Sequence, residues 1–153
     1  MKTYLLIDGC NLFIRNYAAL PTLNGNGEAF GGVYGFLTSL RFYVSRFKPD
    51  KVIVAWDGKG GSQKRRHLID NYKKGRRPMK LNRNYDYGNN QHDQNRTYQM
   101  SRLSKYLEDL PVSQIDVDNV EADDVIAYLC FHLPEDRKIL VSTDRDYYQL
   151  LRT

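Results

Sequence analysis

The sequence contains few cysteines, few histidines and no long apolar run. Its two cysteines, Cys10 and Cys130, form no CxxC pair, so we interpret them as reduced, small hydrophobic residues of an intracellular protein. The three histidines, His67, His92 and His132, match no metal-ligand spacing. No apolar run approaches the roughly 20 residues that a membrane-spanning helix needs. These absences argue against a histidine–cysteine metal site, a cysteine nucleophile and a membrane partner.

Charge is distributed unevenly along the chain, although the total is modest. The 153 residues carry a net charge of +5, with 41% hydrophobic and 27% charged residues, which is typical of one soluble globular domain. Residues 59–105 contain 13 Lys or Arg and three acids, a net charge of +10, so the rest of the chain carries −5. This asymmetry favours a partner rich in phosphate. A solvated basic surface is the alternative.

Strand and helix patterns alternate along the chain, which indicates an α/β fold with a mainly parallel sheet. Apolar runs predict strands at about 3–8, 51–57, 114–117 and 138–142. Helical spacing of apolar residues predicts a helix over about 33–47 that ends before Pro49, a helix over about 94–109 that ends before Pro111, and a third helix from residue 125.

Seven acidic residues form four clusters, and three of these clusters follow the end of a predicted strand. The clusters are Asp8; Asp57; Glu121, Asp123 and Asp124; and Asp144 and Asp146. Because ligands bind beyond the carboxyl ends of parallel strands, we expect these side chains to converge. Converging carboxylates repel one another and favour a hard cation, so the pattern predicts a Mg²⁺ or Mn²⁺ site and phosphodiester chemistry. The alternative is that each acid caps a following helix.

Three further segments can be interpreted from their residues alone. Lys64, Arg65 and Arg66 are expected to contact backbone phosphate and to raise affinity rather than specificity. Residues 82–95 contain no aliphatic residue, so we expect a mobile loop that cannot pack a core. Residues 31–32 are a glycine pair before a predicted helix, where backbone N–H groups either bind phosphate or belong to an ordinary loop.

Six short motifs follow one another along the chain: residues 5–9 with Arg15, 33–36 with Ser39 and Leu40, 54–57, 72–78, 120–126 and 142–150. In this order they resemble the 5′-nuclease family, which includes flap endonucleases, phage 5′-3′ exonucleases and the N-terminal domain of bacterial DNA polymerase I. The resemblance covers almost the whole chain and implies a PIN-like three-layer α/β/α sandwich with a mainly parallel sheet. It also implies one domain over 1–153 with a basic, arch-like segment at about 59–105.

The resemblance assigns roles to individual residues. It implies two-metal hydrolysis of a phosphodiester, with the Mg²⁺ or Mn²⁺ ions held or oriented by Asp8, Asp57, Glu121, Asp123, Asp124, Asp144 and Asp146. Lys73 and Arg76 would lie at the base of the arch and stabilise charge on the scissile phosphate. Tyr72 would either stack on a terminal base or pack in the core. Further contacts to DNA would come from Arg15, Lys74 and Arg77.

Longer members of the family continue beyond the fourth acidic motif with another aspartate pair and a helix-hairpin-helix element, and we expect this chain to lack that part. Three functions therefore stand as hypotheses. The first is a structure-specific 5′-nuclease for DNA with a 5′ end, flap or RNA primer, in replication or repair, in the cytoplasm of a bacterial or phage-infected cell. The second is a catalytically incomplete DNA-binding or docking module, or half of a split nuclease, that binds the missing C-terminal half or replication proteins. The third is a PIN-type ribonuclease, which fits the basic arch motif poorly.

Overall fold

The computed structural model describes residues 1–63, 79–85, 91–133 and 135–151. In chain order their elements are β1 (Thr3–Asp8), α1 (Gly9–Ala19), α2 (Gly31–Phe47), β2 (Lys51–Ala55), α3 (Gln91–Glu108), β3 (Ser113–Ile115), α4 (Ala122–His132), β4 (Arg137–Val141) and a 3₁₀-helix (Arg145–Leu150). The predicted strands and helices are therefore present, with ends that differ by a few residues. No helix in these ranges is both long enough and apolar enough to cross a membrane.

The described residues form two compact units. The sheet unit contains the described parts of Met1–Asn11, Pro49–Pro78 and Val112–Thr153, and the helical unit contains those of Leu12–Lys48 and Met79–Pro111. Neither unit is a continuous stretch of chain. Because each unit combines separate stretches of chain, the composition along the sequence shows no boundary between them. The sequence predicts a single domain over 1–153 instead.

The sheet is parallel throughout its four described strands, in the order β3-β2-β1-β4. Strand β1 lies inside the sheet, and its residues Leu5, Leu6 and Ile7 are fully buried, as expected of a parallel strand covered on both faces. The register pairs Asp8 with Ala55 and Ile7 with Val141. The carboxyl ends of β1, β2 and β4 therefore lie level with one another, which is the arrangement that the acidic clusters predicted.

Helix α4 covers part of this sheet with an apolar face. Val125, Ile126 and Cys130 pack in one buried cluster with Leu6 of β1 and with Tyr147 of the 3₁₀-helix. Burial of aliphatic and aromatic side chains at the helical spacing of 3 and 4 residues is what holds an amphipathic helix against a sheet. Cys130 is buried inside this cluster and forms no disulfide among the described residues, in agreement with its interpretation as a small hydrophobic residue.

Strand β2 ends two residues earlier than predicted, and the residues after it pair first with the end of β3 and then with the loop before α4. The Trp56 N–H donates to the Ile115 carbonyl at 2.8 Å, and the Gly58 N–H donates to the Val120 carbonyl at 2.9 Å. A side chain at Gly58 would meet the Val117 carbonyl at 1.7 Å, so only glycine fits there. This close approach places Asp57 beside the start of α4.

The helical unit contains α2 and α3. Of the apolar residues whose spacing predicts this helix, Val33, Phe36 and Leu40 are buried but Val44 is 38% exposed, and α3 buries Leu103 and Leu107 completely. Helix α2 ends at Phe47, and the capping residue Lys48, whose φ of 45° is left-handed, lies immediately before Pro49. The predicted end of this helix is therefore confirmed.

The prediction that residues 82–95 cannot pack a core is wrong for Tyr85. Its ring is buried and stacks on Tyr17 with the ring centroids 4.5 Å apart. The Asn82 side chain donates to the carbonyls of Tyr17 and Leu20, both at 3.1 Å, and α3 begins at Gln91. Aromatic and amide groups therefore supply the contacts that aliphatic residues usually make. Residues 86–90 lie outside the described ranges.

Candidate metal centre

Asp8 ends β1 and is buried, with three hydrogen-bond donors around its carboxylate. Its Oδ1 accepts from the Asn11 N–H at 3.0 Å, and its Oδ2 accepts from the Tyr147 hydroxyl at 3.1 Å and from the Ser142 hydroxyl at 3.3 Å. Because Ile7 pairs with Val141 in the sheet, the residues that follow them, Asp8 and Ser142, also lie side by side. The register thus brings Ser142 to Asp8.

The environment of Asp8 disfavours its charged form. Burial raises the pKa of the Asp8 carboxyl above its usual range, and the negative charge of Asp57 raises it further. The hydrogen bonds from Asn11, Tyr147 and Ser142 act in the opposite direction without cancelling the effect of burial. Asp8 is therefore a buried carboxylate with a like charge nearby, an arrangement that a bound cation would relieve.

The first and fourth acidic clusters are joined through Ser142, Thr143 and Asn11. The Asp144 N–H donates to the Ser142 hydroxyl oxygen at 3.1 Å, and that hydroxyl donates to Asp8. Asn11 Oδ1 accepts from the N–H and from the hydroxyl of Thr143, both at 3.1 Å. The loop after β4 is thus fixed to the start of α1, and Asp144 keeps a defined position relative to Asp8.

The second and third clusters are joined at the start of α4. Asp57 Oδ1 accepts from the Ala122 N–H at 2.8 Å. Glu121 precedes this helix and is buried, and Asp123 and Asp124 lie in its first turn. The partial positive charge of a helix N-terminus stabilises acids in such positions, which explains how four carboxylates lie near one another here.

The charges of the acidic residues act between the two pairs of clusters, the first with the fourth and the second with the third. The charge of Asp57 acts on Asp8, as described above. Burial raises the pKa of Tyr147, and the charges of Asp8, Asp123 and Asp144 raise it further. Burial likewise raises the pKa of the Cys10 thiol to about 12, with the charges of Asp57 and Asp8 adding to the rise. Members of all four clusters therefore lie within range of one another's charge at the carboxyl edge of the sheet.

The capping alternative is also present, so the two interpretations do not exclude each other. Asp8 caps the first turn of α1 through the Asn11 N–H, and Asp144 caps the 3₁₀-helix by accepting from the Asp146 N–H at 3.0 Å. Asp57 caps α4 from another part of the chain. Capping fixes one oxygen of each carboxylate and so orients it. The role of the acids as metal ligands stays a prediction.

The remaining candidate residues divide into those that the structure describes and those that it does not. Asp124 and Asp146 are exposed beside the other acids, and Arg15 is exposed on α1 in the helical unit. The candidates that lie outside the described ranges are Lys64, Arg65, Arg66, Tyr72, Lys73, Lys74, Arg76 and Arg77.

The donor set fits a hard divalent cation but does not form a complete cage. Every candidate ligand offers carboxylate oxygen, the donor that Mg²⁺ and Mn²⁺ prefer. Within the described ranges, no three His, Cys, Asp or Glu side chains lie close enough together to hold one ion. Mg²⁺ does not need such a cage, because it usually keeps several waters and uses one or two carboxylates. The residues therefore fit ions that are shared between carboxylate pairs, water and substrate.

At the glycine pair, Gly31 and Gly32, which begins α2, the Gln99 side chain occupies the Gly32 N–H, so this N–H does not bind phosphate. Gln99 Oε1 accepts from the Gly32 N–H at 2.8 Å and from the Val33 N–H at 3.3 Å. Gln99 itself is fully buried. A glutamine on a distant helix thus caps α2, and nothing in the local sequence indicates this contact.

Sequence reasoning assigned no role to Asn11, Ser142 or Tyr147, although all three contact Asp8. Ser142 and Thr143 carried a usable signal, since two hydroxyl residues between an apolar strand and an aspartate can supply hydrogen-bond donors. Tyr147 carried none, because an aromatic residue next to a second tyrosine looks like ordinary core packing.

Fold and acidic edge together define the class: a parallel α/β protein with an acidic, oxygen-donor site at the carboxyl ends of its strands. Residues 3–153 match the family described as the 5′-3′ exonuclease, N-terminal resolvase-like domain. The chain belongs to this family, so the resemblance inferred from the six motifs is confirmed.

Individual relatives agree with this assignment. The chain is 35% identical over 155 residues to the flap endonuclease Xni of Shewanella woodyi, covering 100% of this chain and 54% of that protein. It is 36% identical to the flap endonuclease Xni of Shewanella sediminis, covering 98% of this chain and 52% of that protein. The chain thus spans about half the length of the curated relatives that it matches.

Solved structures from bacteriophage T5 share the fold. A T5 protein co-crystallised with metal ions gives a TM-score of 0.73 at 21% identity, covering 99% of this chain and 52% of that chain. The T5 5′-exonuclease with bound zinc ions gives 0.70 at 18% identity, with the same coverage. A complex of the T5 flap endonuclease with DNA and metal ions gives 0.68 at 17% identity, covering 99% of this chain and 52% of that one. These likenesses confirm the predicted α/β sandwich.

Proposed function

We propose that this chain is a metal-dependent nuclease domain that hydrolyses phosphodiester bonds at 5′ ends or flaps of DNA, or of RNA primers on DNA. The observation that carries the proposal is the joining of the four acidic clusters in two pairs at one sheet edge, one pair through Ser142 and the other through the Ala122 N–H. Flap endonucleases among the relatives and metal ions in the T5 structures support it. The DNA bound in one T5 complex supports DNA as the substrate class.

In this proposal Asp8, Asp57 and Asp144 hold Mg²⁺ or Mn²⁺, and Glu121, Asp123, Asp124 and Asp146 hold or orient the ions or their waters. Two bound ions would activate water and stabilise the leaving oxygen of the phosphodiester. The hydrogen bonds from Ala122 to Asp57 and from Asp146 to Asp144 orient these two carboxylates before any ion binds. Orientation in advance lowers the cost of assembling a charged site.

The basic segment completes the proposed substrate site. Residues 59–105 carry a net charge of +10, which attracts a phosphate backbone and makes affinity depend on salt. Lys73 and Arg76 would stabilise charge on the scissile phosphate, and Tyr72 would stack on a base. Arg15, Lys64, Arg65, Arg66, Lys74 and Arg77 would contact backbone phosphates. The setting would be replication or repair in a bacterial or phage-infected cell.

A second candidate is a docking module or half of a split nuclease. One observation favours it: within the described ranges, no three acids lie close enough together to hold one ion. In that case DNA binding would persist without cleavage until a separate polypeptide supplied the remaining ligands.

Cleavage of an end-labelled 5′-flap duplex by the 153-residue chain separates these candidates. We expect cutting near the junction with Mg²⁺ or Mn²⁺, none with EDTA, and none on single-stranded RNA. Asp144→Asn should lower the cleavage rate at least about 100-fold, because it removes a proposed ligand. DNA affinity should stay equal or rise, since a negative charge near the phosphates is lost.

Asp116→Asn is the matched control, because Asp116 is an exposed acid of the sheet unit outside the four clusters. Its cleavage rate should equal that of the unchanged chain. Full activity in Asp144→Asn would disprove the metal assignment. DNA binding without any cutting by the unchanged chain would favour the docking module, and cutting of single-stranded RNA alone would favour a PIN-type ribonuclease.

A further inference from the structure

Tyr147 directs its hydroxyl at the carboxylate of Asp8. It lies in the 3₁₀-helix and is 7% exposed, whereas the adjacent Tyr148 is 68% exposed. The Tyr147 ring belongs to the buried cluster that contains Leu6, Ala122 and Ile126. Close packing of this kind leaves a side chain few rotamers, so the position of the hydroxyl is set by the core of the sheet unit.

The Ser142 hydroxyl has a defined direction for a different reason. Its oxygen accepts from the Asp144 N–H at 3.1 Å, so its hydrogen is available for Asp8 Oδ2 at 3.3 Å. An ionised carboxylate can only accept hydrogen bonds. Tyr147 and Ser142 therefore both act as donors to the same oxygen.

Counting lone pairs shows what these donors leave for an ion. An ionised carboxylate offers about four acceptor positions, two on each oxygen. Tyr147 and Ser142 occupy both positions of Oδ2, and the Asn11 N–H occupies one position of Oδ1. One position remains, on Oδ1. A cation can therefore approach Asp8 through a single oxygen.

We propose that Tyr147, together with Ser142, is a positioning residue that holds the Asp8 carboxylate so that it binds a metal ion through Oδ1 alone. This inference rests on the proposed function, because it takes Asp8 as a metal ligand. Partners of metal ligands fix the orientation of the ligand and are needed for full metal affinity. Without the Tyr147 hydroxyl, Asp8 can rotate and offer Oδ2, and the ion loses a prearranged ligand.

Calorimetric titration of the 153-residue chain with MnCl₂, and separately with MgCl₂, tests this without DNA. Tyr147→Phe removes only the hydroxyl and should weaken Mn²⁺ binding about tenfold, the lower end of the losses known for such partners. Tyr148→Phe is the matched control on the same helix and should change the affinity less than about twofold, because the hydroxyl of an exposed side chain is lost. Unfolding midpoints in EDTA report whether either variant is merely destabilised.

Two more readouts distinguish positioning from a structural role. Ser142→Ala should also weaken Mn²⁺ binding, and it tests the inference even if Tyr147→Phe fails to fold. In the flap assay, Tyr147→Phe should need more Mn²⁺ for half-maximal rate but reach the unchanged rate at saturation, because Oδ1 of Asp8 is still present.

Each outcome has a defined meaning. A tenfold weaker Mn²⁺ affinity in Tyr147→Phe, with recovery of rate at high Mn²⁺, supports the inference. Unchanged Mn²⁺ affinity in both Tyr147→Phe and Ser142→Ala overturns it and leaves the proposed nuclease intact. If the unchanged chain binds neither Mn²⁺ nor Mg²⁺, the inference and the proposed metal-dependent function are both wrong.

Discussion

The two units each bury a polar side chain, and they treat it in opposite ways. In the helical unit, Gln99 is 0% exposed and neutral, and in the sheet unit, Asp8 is 8% exposed and acidic. Gln99 Oε1 accepts two backbone N–H groups of α2. Its Nε2 lies 2.7 Å from Asn95 Oδ1, 2.9 Å from the Ala29 carbonyl and 3.2 Å from the Tyr85 hydroxyl. The two amide hydrogens serve the two shorter contacts.

The comparison separates a polar group that supports the fold from one that supports chemistry. Gln99 carries no charge and satisfies its hydrogen-bonding groups within the unit, so its burial costs little. Asp8 accepts three neutral donors but keeps a raised pKa, with the charge of Asp57 nearby. A buried acid whose pKa stays raised in this way is typical of a functional site. Replacing the neutral Gln99 with an acid, and the acidic Asp8 with an amide, tests this difference in each unit.

The largest effect is expected from Gln99→Glu, which gives the helical unit a buried carboxylate like that of Asp8. One carboxylate oxygen would still accept from Gly32 and Val33, but the other would face the acceptors Ala29 O and Asn95 Oδ1. We expect a loss of about 3–5 kcal/mol in the free energy of unfolding at pH 7, as for other uncompensated buried charges. Urea unfolding measures this.

Gln94→Glu is the control for that substitution, because Gln94 is exposed on the same helix. Its free energy of unfolding should change by less than about 0.5 kcal/mol. If Gln99→Glu were equally harmless, the distinction drawn between the two buried groups would be lost.

The next largest effect is expected from Asp8→Asn, which gives the sheet unit a neutral group. The Ser142 and Tyr147 hydroxyls can both donate and accept, so they can adapt to an amide. In EDTA we expect a gain of about 1 kcal/mol in the free energy of unfolding, as when a strained functional residue is relieved. Adding Mn²⁺ should raise the unfolding temperature of the unchanged chain and not that of Asp8→Asn.

Asp116→Asn separates this local effect from a change in net charge. Asp116 is an exposed acid of the same unit, and its replacement should leave the unfolding temperature in EDTA unchanged. An equal gain from Asp116→Asn would mean that removing any acid stabilises the chain, and that Asp8 is not specially strained.

The sequence was informative about the sheet unit and much less so about the helical unit, for a physical reason. Asp8 and Asp57 could be placed at one sheet edge because parallel strands end together, a rule that needs only the positions of the strands. The role of Gln99 depends on backbone N–H groups that lie 66 and 67 residues away in sequence. No local pattern encodes such a contact, and Tyr147 was missed for the same reason.

An effect of similar size to that of Asp8→Asn is expected at neutral pH from Tyr17→Phe, which tests whether the helical unit is inert to pH. The Tyr17 hydroxyl donates to the His92 carbonyl at 2.7 Å, so its loss should cost about 1 kcal/mol at pH 7. Burial raises the pKa of Tyr17 above its ordinary value of 10.0. The unfolded chain therefore loses this proton first, and stability falls as the pH rises above about 10.

In Tyr17→Phe that alkaline fall should be shallower, by up to about 1.4 kcal/mol per pH unit. Urea unfolding between about pH 7 and 11 measures the two slopes. Equal slopes in Tyr17→Phe and the unchanged chain would show that Tyr17 ionises in the folded state. If the slopes differ as expected, Tyr17 adds no pH dependence near neutrality, where the acidic edge is proposed to bind its metal.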